Sequence, residues 1–289
     1  LGRVSGSLIA AQKSMAKWLP QVKFFVQIER SKMIHDLAIV DPSANIHPSV
    51  TVGPWTTIGP DVTIGEGSVI ASHCVIKGPT TIGQRCQIFQ FSSIGEATPD
   101  LKFKNEPTTL TIGDDNIIRE GVTIHRGTIQ DRGDTFIGNH NLLMAYVHVG
   151  HDCVIGNHCI LVNNVALAGH VHVGDWAIIS GYCGVHQYCK IGAHSYLGMM
   201  SRLSQDLPAF VLADGHPAAP KMINIEGLRR RNFSDHEIKK LQQAFKIVYR
   251  RKLSLSDAVE QLKPMIAESP SIAVFVDSIE SSTRGIVRS

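Results

Sequence analysis

The stretch TIGPDVTIGEGSVIASHCVI, Thr57 to Ile76, decides the fold. An isoleucine stands at every sixth position, Ile58, Ile64, Ile70 and Ile76, and a small residue often stands two places before it, as at Thr56, Ser68 and Cys74. A period of six is neither a helix face nor the simple alternation of a strand. It fits short strands joined by tight corners: the aliphatic residue points inward, the small residue fits beside the bend, and glycine permits the turn. Three such sides close a triangular coil of about 18 residues, with parallel strands stacked ~4.8 Å apart.

Outward from that stretch the register runs from Val40 to Ile94, resumes at Ile112, Ile118 and Ile124, and runs again from Ile137 to Leu203. This amounts to about eight coils, a prism roughly 40 Å long. The expected fold is therefore mainly β: a parallel β-helix of hexapeptide repeats over residues 33–207, then a small α-helical C-terminal domain over residues 208–289. Two polar segments leave the register, residues 95–109 (GEATPDLKFKNEPTT) and roughly 126–134 (RGTIQDRGD). They are expected to loop out, and loops on a rigid scaffold often carry function. After Leu207, PAFVLADGHPAAP reads as a linker. SDHEIKKLQQAFKIVYRR then reads as a helix, with a capping box at Ser234 and Glu237 and an apolar stripe of Ile238, Leu241, Ala244, Phe245 and Val248. A second helix is expected to start near Ser254 or Ser256, and a third to span about Ser271 to Ser282. Residues 1–32 lack the pattern and read as a poorly ordered extension, with an amphipathic extra helix as the alternative.

The chain has 289 residues, 43% hydrophobic and 18% charged, with a formal net charge of only +3. That charge implies no nucleic-acid footprint. The most apolar early stretch, Trp18 to Ile28, is broken by Pro20 and Lys23; it is too short and polar to span a bilayer and lacks a signal-peptide layout. The expectation is a cytoplasmic protein with no stable membrane insertion. All six cysteines, at 74, 86, 153, 159, 183 and 189, fall on the small-residue position. They read as buried wall residues rather than zinc ligands or disulfides, in keeping with a reducing compartment.

The segment VHVGHDC, Val147 to Cys153, puts two histidines and an aspartate within five residues. Residues 18 apart share a column of the prism, so His151 stacks with Gly169 and Gln187, and Asp152 with His170. His186 stacks with Ala168 and Gly150, and a seven-residue insertion at 126–134 would bring His125 into that column. Two chemistries stay open on this pattern. Histidines shared between subunits could hold zinc, as in a carbonic-anhydrase-like hydratase. Alternatively, a neutral imidazole can act as general base beside a carboxylate that fixes its tautomer, with the Gly169 N–H available to an oxyanion.

The words around these histidines are specific. FQFSSIGE (89–96), PDLKFKNEPT (99–108), IREGVTIHRGT (118–128), NLLMAYVHVGHDC (141–153), ILVNNVALAGHVHV (160–173), VHQYCKIGAH (185–194) and NIEGLRRRNFS (224–234) together resemble the UDP-N-acetylglucosamine O-acyltransferases of lipid A biosynthesis. The likeness runs from about Met33 to Arg288. Related N-acyltransferases of the same pathway and serine acetyltransferases fit less well, because of NIEGLRRR and the Asp-Leu-Lys loop. The resemblance implies a left-handed coil, where the general rule for parallel crossovers would give a right-handed one. It also implies a homotrimer with active sites between neighbouring prisms, an (R)-3-hydroxyacyl donor on the phosphopantetheine of acyl carrier protein, and the glucosamine 3-hydroxyl of UDP-N-acetylglucosamine as acceptor. No metal and no further cofactor are implied. A zinc hydratase has no reason to keep NIEGLRRR.

Residue roles follow from the same resemblance. His151 would be the general base, Asp152 its orienting acid, and the Gly169 N–H the oxyanion donor. Asp100 and Lys102 would contact the sugar and the pantetheine or acyl group. His148, His170, His186 and Gln187 would position the substrates, with His125 a further site residue. Asn224, Glu226, Arg230 and Arg231 would bind the uridine diphosphate end, where arginine forks suit phosphates. Family members carrying a bulky Met at the far end of the acyl groove accept shorter chains; Met199 stands there, so a donor of about ten carbons is expected. Met144 and Met200 are alternative stops. His216-Pro217 replaces an Asn-His pair associated with some members.

Overall fold

The computed structural model describes residues 33–288, so the expectation for residues 1–32 lies outside the described residues. Each hexad forms a strand of two to four residues whose aliphatic residue is inside: Ile58, Ile64, Ile70 and Ile76 are at most 1% exposed. The strands build three parallel sheets of nine, eight and ten strands, the third ending in an antiparallel hairpin. Every third strand pairs, as Thr57 with Val75 and His148 with Ala166, so a coil is 18 residues. The small position two before each aliphatic residue is also inside; Thr56, Ser68, Cys74 and Cys86 are fully buried. At several of these positions the hydroxyl or thiol reaches the carbonyl of the next corner, as Thr56 Oγ1 to the Ala71 oxygen at 2.6 Å and Cys153 Sγ to the Ala168 oxygen at 3.1 Å. The polar atom is thereby satisfied inside an apolar wall. All six cysteines are free and buried, and burial pushes the Cys153 and Cys159 thiols up to about 12.

The corners set the site. From Trp55 onward most tight turns carry a residue of positive φ, among them Asp152 (58°), His170 (63°), Trp176 (63°) and His194 (60°). Asp152, His170 and Tyr188 mark the corner from the first sheet to the second. His140, His158, Trp176 and His194 mark the next, and Tyr146, Asn164, Tyr182 and Met200 the third. The two insertions leave where the register breaks. Ser93 pairs with Thr123, a step of 30 residues, and Ile124 with Val149, a step of 25, seven more than a coil.

One expectation needs correction. Residues 208–220 are not a linker: Val211–Asp214 (β26) pairs in parallel with Tyr196–Leu197 (β24), then turns back antiparallel onto Ala219–Ile223 (β27). Gly215 and Pro217 suggested a break, but Phe210, Val211 and Ala213 are buried and continue the core. Helix α1 (Ile225–Arg230) follows, then α2 (Asp235–Arg250), α3 (Leu255–Ile266) and α4 (Pro270–Glu280). The capping box of Ser234 and Glu237 opens α2, and Ser254 caps α3. Asp206 fastens the helices to the prism: its carboxylate accepts from the Lys190 N–H at 2.7 Å and the Ser282 hydroxyl at 2.6 Å.

Candidate active site

His151 and Asp152 stand at the corner where Val154–Ile155 (β17) follows His148–Val149 (β16). His151 Nδ1 lies 2.8 Å from Asp152 Oδ2, with the His151 side chain 17% exposed and Asp152 wholly buried. The carboxylate is held from the other side by Thr128. The Thr128 N–H donates to both oxygens at 2.9 and 3.0 Å, and its hydroxyl donates to Oδ2 at 2.6 Å. Burial alone would raise the Asp152 pKa, but the His151, Thr128 and His170 contacts outweigh it and hold the group below its ordinary value. Asp152 is then an anion that only accepts, so His151 carries its proton on Nδ1 and offers the Nε2 lone pair.

Two glycines shape the opposite wall. A Cβ on Gly169 would lie 2.6 Å from His151 Nε2, so only glycine lets the ring approach that closely. A Cβ on Gly150 would lie 2.8 Å from the Gly169 nitrogen. Among the described residues no protein group accepts from the Gly169 N–H, and with Gly150 bare it stays uncovered. Both glycines line a cleft of about 320 Å³ together with Thr98, Pro99, Asp100, His125, His148 and His151.

The other imidazoles gather as the 18-residue stacking predicts. The 25-residue step puts His125 level with Gly150, and its ring lies 5.1 Å from that of His148. Burial and then the neighbouring His148 push His125 down to about 4, with Glu96 working the other way. Burial, then His151, lowers His148, whose Nδ1 lies 2.8 Å from Thr123 Oγ1. His170 sits edge-on to His151 at 4.8 Å and stacks on Tyr188 at 4.2 Å. His186 and Gln187 are exposed, with Gln187 one coil above Gly169. In the first loop Asp100 accepts from the Lys102 N–H at 2.9 Å and lines the cleft, while Lys102 is exposed.

The nucleotide candidates stand at a different corner. Asn224 caps α1 and donates to the His194 oxygen at 2.9 Å. Arg230 is exposed and donates to Glu226 at 2.9 Å. Arg231 Nη2 donates to the Trp176 oxygen at 2.8 Å, and its guanidinium lies over the Trp176 ring at 5.3 Å. Met199 is 62% exposed at the third corner, three coils above Ala145.

His151, Asp152 and His170 place donor atoms within 4.8 Å of one another, the spacing of a metal site. Both Nδ1 atoms, however, are turned onto carboxylates, and both Asp152 oxygens receive Thr128, so no set of lone pairs converges on one open point. A larger cleft of about 570 Å³ lies along His140, His158 and Trp176. Its Asp114, Asn139, Asn157 and Asp175 oxygens each accept a backbone N–H of the neighbouring coil, and its rings stack on each other. These groups serve the wall.

Residues 206–287 match the family described as Udp N-acetylglucosamine O-acyltransferase, domain 2, and residues 34–78 and 134–169 match the bacterial transferase hexapeptide family. The acyl-[acyl-carrier-protein]–UDP-N-acetylglucosamine O-acyltransferase of Saccharophagus degradans is 61% identical over 255 residues, 88% of this chain and 99% of that protein. The chain belongs to the UDP-N-acetylglucosamine O-acyltransferase family. Among solved structures, the Moraxella catarrhalis UDP-N-acetylglucosamine O-acyltransferase is 46% identical, with TM-score 0.88 over 89% of this chain and 100% of that one. The Francisella novicida UDP-N-acetylglucosamine acyltransferase is 43% identical, with TM-score 0.88 over 89% and 94%. This acyltransferase thus has the family's left-handed parallel β-helix with a small helical C-terminal region. Two contributors to the site, Thr128 and Gly150, escaped the sequence reading. Gly150 carried a signal, since it stands one coil below Ala168 in the column of His186.

Proposed function

We propose that this enzyme transfers an (R)-3-hydroxyacyl chain from acyl carrier protein to the glucosamine 3-hydroxyl of UDP-N-acetylglucosamine, the first step of lipid A biosynthesis. The observation that carries the chemistry is the His151–Asp152 pair facing the uncovered Gly169 N–H. His151 Nε2 takes the proton of the 3-hydroxyl as its oxygen attacks the thioester carbonyl. The Gly169 N–H faces the oxyanion that forms, and Asp152 supports the imidazolium. Collapse of the intermediate breaks the carbon–sulfur bond, and the imidazolium returns its proton to the leaving thiolate.

The substrate-binding roles fit the same arrangement. Asp100, His125 and His148 line the cleft and would meet the sugar and acyl chain there, with Lys102 in the same loop as Asp100; His170, His186 and Gln187, on the coils above His151, would complete the substrate path. On the outer face of the first sheet, above His148, stand Ala166 and Gly184, both exposed and both small. They leave a bare strip of two coils below Arg202, with Met199 at the corner three residues before it, which suits an alkyl chain and a stop. Asn224, Glu226, Arg230 and Arg231 lie at another corner of the same prism, so one chain does not bring them beside His151. A neighbouring copy would supply them, which is the reason to expect a homotrimer. Arg230 and Arg231 would supply the diphosphate forks, Arg230 beside Glu226 and Arg231 beside Trp176. The reaction needs no metal and no cofactor beyond the donor's phosphopantetheine.

The test offers an equal mixture of 3-hydroxyacyl carrier proteins of different chain lengths with UDP-N-acetylglucosamine and a chelator, and reads products by mass. A 3-O-acyl product peaking at about ten carbons is expected, and Met199→Gly should move the peak to longer chains because the groove end opens. An unmoved peak removes Met199 as the stop. No product from folded wild-type enzyme contradicts the reaction.

A further inference from the structure

We infer that Asp131, at the tip of the second insertion, is a positioning residue that keeps the two active-site imidazoles from competing for one carboxylate. This inference rests on the acyl-transfer reading above. His170 Nδ1 lies 2.8 Å from Asp131 Oδ2 and 3.8 Å from Asp152 Oδ2. The same Asp152 oxygen already receives His151 Nδ1 at 2.8 Å, the Thr128 hydroxyl at 2.6 Å and the Thr128 N–H at 3.0 Å. It has no capacity for a further strong donor.

The seven extra residues of this coil are what place Asp131 there. Gly133 N–H donates to the Thr128 oxygen at 3.0 Å, closing a tight loop. One end of the loop puts Thr128 against Asp152, and its tip puts Asp131 against His170. His170 is only 7% exposed, its ring perpendicular to that of His151 and stacked on that of Tyr188. Deprived of Asp131, its Nδ1–H has Asp152 as the next acceptor within reach. A ring turning toward Asp152 draws Oδ2 from His151 and loosens the tautomer and orientation of the base. The insertion thus gives each imidazole its own carboxylate.

The experiment compares Asp131→Ala and Asp131→Asn in the full-length enzyme. It combines steady-state kinetics for UDP-N-acetylglucosamine with nitrogen-15 imidazole shifts of His170. An asparagine oxygen still accepts from a neutral Nδ1–H. Asp131→Ala should lower kcat about tenfold, the rate equivalent of weakening one charge-assisted hydrogen bond, with KM within about twofold. The His170 shifts should move away from the Nδ1–H tautomer. Asp131→Asn should retain most of the rate and the wild-type shifts. Wild-type kcat and His170 shifts in Asp131→Ala overturn the inference. So do equal losses in both variants that track a fall in Tm, since those mark a purely structural loop. A wild-type enzyme that lacks acyl transfer defeats the reaction reading instead, whereas the His170 shifts report on Asp131 in either case.

Discussion

Asp152 occupies a left-handed turn position with φ near 58° and is wholly buried, two conditions that are costly for a charged residue unless it is fully hydrogen-bonded. Thr128 and His151 meet that requirement, and Thr135 accepts the Asp152 backbone N–H at 2.8 Å. Gly169 acts on the other side of the same ring. In Gly169→Ala the added Cβ would stand 2.5 Å from His151 Cε1, so the imidazole must move while the coil keeps its shape. Turnover should fall at least about 100-fold with Tm almost unchanged, as for other displacements of a catalytic group of about 1 Å. Activity near wild type in that variant contradicts the close approach assigned to Gly169. The half-buried histidines carry a second consequence. Burial, followed by the charge of a neighbour, pushes both His125 and His194 down to about 4. A folded pKa below the unfolded one means that the unfolded chain takes up protons first as pH falls. Stability from these groups is therefore complete above pH ~6.5 and is lost progressively toward pH ~4. Urea unfolding at stepped pH should show that decline, and His194→Gln should make it shallower; a flat profile contradicts it.

At the scale of elements, the prism and the helices are joined through α1 and the segment after it. Arg231 anchors that segment by bonding the Trp176 carbonyl and covering the Trp176 ring. Its pKa is lowered by burial to about 10, so it stays charged at neutral pH. Arg231→Ala should cost about 2 kcal/mol in unfolding free energy, from one charged hydrogen bond and one cation–π contact. Denaturant titration measures this, and a loss below about 0.5 kcal/mol would mean that the contact is as weak as an exposed pair. These elements also show what a sequence reveals. The coils were legible because each inward position repeats at a fixed step. For the same reason His125 could be placed, once seven residues were assigned to the insertion. The β26–β27 hairpin was not legible, because Gly215 and Pro217 mimic the punctuation of a linker while the buried Phe210 and Ala213 declare themselves only when packed. The contacts of Thr128 and Asp131 were hidden likewise, since a looped-out segment has no register from which to count. The short α1 is held by Asn224, whose capping role the nucleotide motif conceals.

At the scale of the molecule, three sheets of short strands form a stiff prism, and its three corners carry different tasks. One holds the His151–Asp152 pair, one holds the ring stack against which the helical domain docks, and one presents Tyr146, Tyr182, Met199 and Met200 to the outside. The separation of His151 from Arg230 and Arg231 across corners is what leads us to a shared site between copies. No described helix is long and apolar enough to cross a membrane. The central claim is that His151, tuned by Asp152, removes the proton from the acceptor hydroxyl. The most direct test is the rate of acyl transfer to UDP-N-acetylglucosamine by His151→Ala, with its fold and assembly compared with wild type. The account predicts a loss of at least about 100-fold, as for removal of a general base, in a protein of unchanged Tm and oligomeric size. Substantial turnover by that intact variant would contradict it.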